Sequence, residues 1–325
     1  MTRGQARAGG RAAAAGSVAS GLLPLDKPAG VTSHDAVDRA RRRLGVRAIG
    51  HLGTLDPGAS GLLVLAIGAA TRCATVWQGG RKTYAGVIRF GVTTDTQDLS
   101  GQVLERSDRR PAEAEVRAAL EGLTGDVAQV PPMFSALKRG GERLYRLARR
   151  GETLERAPRP VHVHAWRVVR LTPDELAFEV DCSGGTYVRT LAHDLGRRLG
   201  CGAALAELRR LRSEPFSLER ACPWSALEPG GDEDVFARWG VPLDRALESL
   251  PAVTLTAAAA EAVGRGQQPC VTAGEAPVGA GPRSVVFRSA EGRALALGEL
   301  RREPGGIRAR PAVVFPWAVR EGPAT

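Results

Sequence analysis

The sequence predicts an α+β protein, a largely antiparallel mixed sheet flanked by helices with a small β-barrel or sandwich at the C-terminal end. Three observations lead there. Strand-like alternation comes in adjacent pairs, as in residues 161–171 and 175–182 across Thr172-Pro173-Asp174, which is hairpin spacing. Helical patterns fall irregularly between the strands, without the regular βαβ spacing of a doubly wound parallel sheet. Beyond about Ser225 the composition shifts to Pro229, Gly230, Gly231 and an acidic patch, and short strands separated by turns follow.

Taken in order, Gly21-Leu22-Leu23-Pro24-Leu25-Asp26-Lys27 reads as a strand running into the Pro28-Ala29-Gly30 turn. Ser33 is placed to cap a helix whose Ala36, Val37, Ala40 and Leu44 share a face, with Arg39, Arg41, Arg42 and Arg43 mostly off it and Gly45 at its end. Leu62-Leu63-Val64-Leu65-Ala66-Ile67-Gly68 is a short apolar run that reads as a buried strand. Residues 69–77 read as a helix, 82–90 as a strand, 93–101 as a polar loop carrying Asp95 and Asp98, and 102–105 as extended chain. Pro111 starts a helix with Glu113 and Glu115 in its first turn, which suits the helix dipole. Pro131-Pro132 bars regular helix from the next segment. Lys138, Arg139, Arg143, Arg146, Arg149 and Arg150 then form a basic amphipathic stretch, suited to phosphates or simply to solvent. A glycine-rich bend at 183–189 precedes a helix striped by Leu191, Leu195 and Leu199. Residues 203–211 read as another short helix with Arg209, Arg210 and Arg212 outward. Residues 241–247 with Leu250-Pro251 form a packed linker, and an Ala-rich helix with strands at 284–287, 294–297 and 313–315 completes the smaller domain.

Composition narrows the function. Lys and Arg total 45 against 35 Asp and Glu, a net charge of +10, which points to a polyanion, nucleic acid before membrane. The cysteines (Cys73, Cys182, Cys201, Cys222, Cys270) are scattered and odd in number, which fits a reducing cytoplasm and argues against a zinc site or disulfide framework. His162 and His164 share a strand face but lack further nearby ligands, so no metal is expected. No apolar run approaches the roughly 20 residues a membrane span needs. Residues 1–20 carry no hydrophobic core segment of a secretory signal and read as a flexible basic tail. A Gly-x-Gly-x-x-Gly motif, a P-loop and a Cys/His cluster are all missing, so no cofactor is expected.

The stretch His51-Leu52-Gly53-Thr54-Leu55-Asp56-Pro57-Gly58-Ala59-Ser60-Gly61 is the candidate site. It presents one acid on a loop anchored by the apolar strand that follows. Asp-Pro-Gly is also an ordinary turn tripeptide, and both readings stand on these residues alone.

Five ordered blocks carry a resemblance. Gly50-His51-Leu52-Gly53-Thr54-Leu55-Asp56-Pro57 with Ala59-Ser60-Gly61-Leu62-Leu63 resembles the signature of bacterial tRNA pseudouridine-55 synthases. Leu25-Asp26-Lys27-Pro28-x-Gly30, Lys82-x-Tyr84, Gln129-x-Pro131-Pro132-x-Phe134-Ser135-Ala136-Leu137-Lys138 and Cys182-Ser183-x-Gly185-Thr186-Tyr187-Val188-Arg189 are similar to the same family. The resemblance implies a catalytic domain over 21–251, a PUA-like RNA-binding domain over 252–318 and a tail at 319–325. It further implies Asp56 as catalytic aspartate, Arg189 as its ion-pair partner and His51 beside the target nucleotide. Tyr84 would pack on the target base, and Tyr187 and Leu208 would line the pocket. Phe134 stands where relatives often have Tyr. The implied substrate is the T-loop of tRNA, acted on by a monomer without cofactor. Two rivals remain, a non-catalytic RNA-binding protein on the same scaffold and a hydrolase pairing Asp56 with Asp95 or Asp98.

Overall fold

The structure is a computed structural model that describes residues 20–319 apart from Ala136, Thr153, Glu275 and Pro282. The predicted basic tail, but for Ser20, and residues 320–325 lie outside the described residues.

The chain opens with β1 (Gly21–Lys27), α1 (Ser33–Leu44), β2 (Ile49–His51) and β3 (Ser60–Ile67). The cap of α1 is Thr32 rather than Ser33. Thr32 Oγ1 accepts from Asp35 N at 3.0 Å, and Thr32 N donates to Asp35 Oδ2 at 2.9 Å, a reciprocal capping box. Ser33 instead bonds both backbone groups of Leu55, each at 2.9 Å, in the loop before β3. The helix predicted over 69–77 is a 3-10 turn (Gly68–Cys73) followed by the short α2 (Thr75–Gln78). So few residues between Gly68 and Gly79-Gly80 do not sustain a regular α-helix.

Next come β4 (Lys82–Phe90), β5 (Val92–Thr94), β6 (Val103–Arg106), α3 (Glu113–Glu121) and β7 (Gly125–Gln129). An inserted segment follows, with β8 (Lys138–Arg139), β9 (Glu142–Arg143) and α4 (Leu144–Arg149). It packs Met133, Leu144 and Leu147 into a small core of its own, while Arg146 is exposed. The predicted hairpin is β10 (Arg159–Leu171) and β11 (Glu175–Cys182), and α5 (Val188–Leu199) carries the leucine stripe inward.

The expectation of a helix at 203–211 is corrected. The segment is β12 (Ala203–Ser213), hydrogen-bonded to β4 along its length and to β3 at one point. Its Ala, Leu, Glu and Arg residues favour helix locally, but pairing on both edges in a packed sheet overrides that preference. Arg210, predicted outward, is 2% exposed.

The chain returns to this sheet through β13 (Phe216–Ser217), α6 (Val235–Trp239), β14 (Val241–Pro242) and α7 (Leu243–Ala246). Spatial order is β14-β1-β3-β12-β4-β11-β10-β7, with β2 on β3 and β13 on β12. Among the described residues every pairing in it is antiparallel except β3 with β12. That parallel contact matches only Ser60 with Arg209 and Gly61 with Arg210, making a seam across the middle of the sheet.

Burial explains the unbroken apolar run in β3. Leu63, Leu65 and Ile67 join the core under α1, α3 and α5, while Leu62, Val64 and Ala66 face the opposite layer. That layer is built by β15 (Ala252–Thr254), α8 (Ala257–Gly264), β16 (Cys270–Val271), β17 (Val285–Arg288), β18 (Ala294–Glu303) and β19 (Gly306–Val314). The order β15-β17-β18-β19-β16 has separate end strands, so the small C-terminal β domain is a curled half-barrel. Val286, Leu297, Val313 and Phe315 pack into one cluster with Leu22, Leu62 and Val64. Each fully buried side chain of this kind contributes about 1.5–3 kcal/mol.

Candidate active site

The loop between β2 and β3 is tied down at nearly every step. Leu52 N donates to Val64 O at 2.9 Å, Gly30 N to Pro57 O at 2.8 Å, and Ala59 N to Asp56 O at 3.0 Å. Ser33 holds Leu55, and Arg210 Nη2 donates to Gly53 O at 3.1 Å. The turn reading of Asp-Pro-Gly and the display reading are therefore one structure. The turn closes on Asp56, whose side chain stays 41% exposed to a cleft of about 340 Å³.

All six residues singled out from the sequence line that cleft: His51, Asp56, Tyr84, Tyr187, Arg189 and Leu208. They come from the candidate loop, β4, the bend before α5, α5 itself and β12, so only the tertiary fold brings them together. Arg189 is 5% exposed. Its Nε donates to Asp56 Oδ2 at 2.8 Å and its Nη2 reaches Asp56 Oδ1 at 3.3 Å. Nη1 also donates to Thr96 O at 2.7 Å and Nη2 to Phe134 O at 2.9 Å, which fixes the fork in one orientation. Tyr84 is buried and Tyr187 half-buried, and burial pushes both phenols above their ordinary pKa.

Asp98 lies 3.7 Å from Arg189 Nε, but its Oδ1 accepts from Thr96 Oγ1 at 2.7 Å and Ser100 N at 3.0 Å. Asp95 accepts from Gln102 N at 2.8 Å. Both carboxylates thus organise the turn after β5. His162 and His164 have ring centroids 4.6 Å apart, and His162 Nδ1 lies 2.7 Å from Asp126 Oδ1. Neither histidine lines the cleft. Among the described residues no group of three or more His, Cys, Asp and Glu stands together as a metal site, and no helix is long and apolar enough to cross a membrane.

Several groups at or beside the cleft were not legible in the sequence. Lys82 lines the cleft at 5% exposure, giving its ammonium to Gln78 O at 2.9 Å and Gly80 O at 3.0 Å, and burial pushes its pKa down. Lys27, fully buried, donates to Pro28 O and Val31 O at 2.8 Å each. Burial lowers its pKa to about 8, against the opposing attraction of Asp56. Gln129, 1% exposed, grips the backbone of Tyr187 with both ends of its amide, at 2.8 and 3.0 Å. Lys82 and Gln129 stood inside recognisable blocks, but nothing in the chain announced that they would be buried. Arg210 was hidden by the helical pattern of its segment.

Comparison with known proteins agrees with this geometry. Residues 41–188 match the TruB family pseudouridylate synthase (N terminal domain), and residues 189–248 match the tRNA pseudouridylate synthase B C-terminal domain. The chain is 46% identical over 251 residues to tRNA pseudouridine synthase B of Geobacter sulfurreducens, covering 77% of this chain and 83% of that one. Against the protein of the same name from Aromatoleum aromaticum it is 44% identical over 287 residues, covering 87% and 89%. Among solved structures it is similar to one described as a Cbf5-Nop10-Gar1 complex, with TM-score 0.68, 27% identity, and 91% and 84% of the two chains covered. An archaeal box H/ACA sRNP Nop10-Cbf5 complex gives TM-score 0.68 at 25% identity, covering 95% and 89%. Fold, cleft and relatives together define a pseudouridylate synthase, an isomerase. The chain belongs to the TruB family of these enzymes. The half-barrel from β15 onward lies beyond both matched segments.

Proposed function

We propose that Asp56 is the reactive carboxylate of this tRNA pseudouridine synthase, with Arg189 as its fixed counter-ion. The enzyme converts the uridine at position 55, in the T-loop, to pseudouridine. The N1–C1′ bond breaks and a C5–C1′ bond forms; C5 loses its proton and N1 gains one, so no oxidant or reductant is consumed. An ionised carboxylate serves this reaction as nucleophile or proton acceptor. The observation that carries the reading is the 2.8 Å contact from Arg189 to Asp56 at the wall of a cleft flanked by Tyr84 and Tyr187.

The base must leave its stack to reach Asp56, at a cost of a few kcal/mol. Aromatic faces and phosphate contacts offset that cost in RNA loop recognition. Tyr84 packs on the flipped base, Tyr187 and Leu208 close the sides, and His51 stands beside the target nucleotide. Arg146 on the inserted segment and the exposed arginines of the half-barrel, such as Arg301 and Arg302, contact phosphates. Residues 21–251 then act as catalytic domain and 252–318 as RNA-binding domain, in a cytoplasmic monomer acting on tRNA.

The test is mass mapping of pseudouridine in a T-arm transcript. Asp56→Asn is expected to bind the RNA and form no product, and turnover near wild type in that variant would sink the assignment. Binding is also expected to weaken steeply with salt, as counterions are released from phosphates.

A further inference from the structure

The seam of the large sheet divides the active site. Asp56 belongs to the β1–β3 side, on the loop entering β3, whereas Tyr84 and Leu208 belong to the β4–β12 side and Tyr187 and Arg189 to the bend and helix that follow β11. The two sides meet in a two-residue ladder. Gly61 makes that approach possible: at φ +95° its absent Cβ would lie 2.3 Å from Arg210 O. Beyond those two pairs the ladder gives out, and Arg210 takes over. From β12 its Nε donates to Leu62 O on β3 at 2.6 Å, and its Nη2 donates to Gly53 O on the Asp56 loop at 3.1 Å. A register shift between Arg210 and Arg212 marks a bulge at this point of β12, the kind of irregularity that re-aims a side chain. Arg210 also sits directly opposite Tyr84 in the β12–β4 ladder.

We infer that Arg210 is a positioning residue, a strut that sets where Asp56 stands relative to Tyr84 and Arg189 on the other side of the seam. Its fork spans two carbonyls of one side from a backbone rooted in the other, which a single-point donor does not do. Among the described residues it makes no carboxylate ion pair, so its buried charge is balanced by backbone dipoles at the seam. An apolar core position would be served more cheaply by Leu or Met, and the placement across the seam is what the guanidinium adds. The inference rests on the reading of Asp56 as the reactive carboxylate.

Arg210→Met, Arg210→Lys and Asp56→Asn, each the full chain, are compared for folding by circular dichroism, for T-arm RNA binding, and for kcat and KM. Arg210→Met is expected to fold and to keep its KM while kcat falls about a hundredfold, the size of effect that a displacement of about 1 Å produces at a reacting group. Arg210→Lys restores part of kcat, because an ammonium reaches one of the two carbonyls. A folded Arg210→Met with wild-type kcat overturns the inference. So does loss of folding in both Arg210 variants, or a lowered Tm with unchanged kcat in the folded fraction, either of which makes Arg210 a stability element alone. Wild-type turnover in Asp56→Asn would instead remove the reading of the site on which the strut depends.

Discussion

The cleft and the half-barrel treat charge in opposite ways. Five charged side chains are buried among the described residues: Lys27, Lys82, Arg189, Arg210 and Glu299. Four of them stand at or beside the cleft, all cationic, around the Asp56 loop. The half-barrel holds the fifth, and none of its described arginines is fully buried, as in Arg301 with Glu299 at 2.6 Å and Arg308 with Glu303 at 3.0 Å. Its inner face is apolar and closes the layer beneath β3. A buried cation is destabilising unless it is paired or hydrogen-bonded, so a protein that gathers four at one place holds a fixed field there. The half-barrel needs none, because surface pairs and an apolar seat suffice to attach it.

The strongest way to test that contrast is at the carboxylate. Asp56→Asn is expected to abolish product in the mapping assay. Its amide oxygen still accepts from the buried Arg189 but the counter-charge is gone, so a loss of stability smaller than that of Arg189→Met is expected. Phe315→Ala should do the reverse. Phe315 is fully buried where the half-barrel meets the large sheet, and its truncation is expected to cost about 3–5 kcal/mol in a urea titration, with kcat of the folded protein nearly intact. Arg189→Met falls between, since it removes the partner of Asp56 and leaves the Thr96 and Phe134 carbonyls without their donor. A loss of about 2–3 kcal/mol is expected from urea midpoints, together with most of the activity.

A subtler effect follows from Lys27. Its folded pKa of about 8 lies below the ordinary value of 10.5. Between those values the unfolded chain binds the proton that the folded chain has released, so stability rises with pH across that window; below about 8 both states are protonated and the penalty is constant. Urea midpoints measured from pH 7 to 10 should therefore climb in wild type relative to Lys27→Met, and parallel curves would refute the shift. The smallest effect is expected at Arg308→Ala, where a partly solvated pair with Glu303 is worth about 1 kcal/mol. A larger loss of stability there would mean that the half-barrel relies on its surface charges after all.

Much of this was legible in the chain. The hairpin of β10 and β11, the buried β3 and the anchored acid all followed from local pattern. Five of the six cleft residues stood in ordered blocks, Leu208 came from the resemblance alone, and the fold brings all six to one cavity. The misreadings share a cause. Ser33 looked like a cap because it precedes a helical pattern, yet Thr32 caps and Ser33 is drawn to Leu55 across the turn. Residues 203–211 looked helical because leucines recur every third residue, yet two strand edges were waiting for a partner. In both places a long-range contact outbid a short-range preference, and such contacts leave no periodicity to read.

The amino-acid sequence by itself determined which segments alternate, where the chain must turn, and that one carboxylate sits on a glycine-rich loop just ahead of a buried strand. Those are consequences of local sterics and of apolar spacing, each set within a few residues. Only the tertiary structure decided that Arg189 meets Asp56 across 133 positions, that Gln129 grips Tyr187, and that Arg210 crosses the seam to hold Gly53. A buried cation is stable only where distant carbonyls or carboxylates converge on it, and that convergence exists only once the sheet has closed.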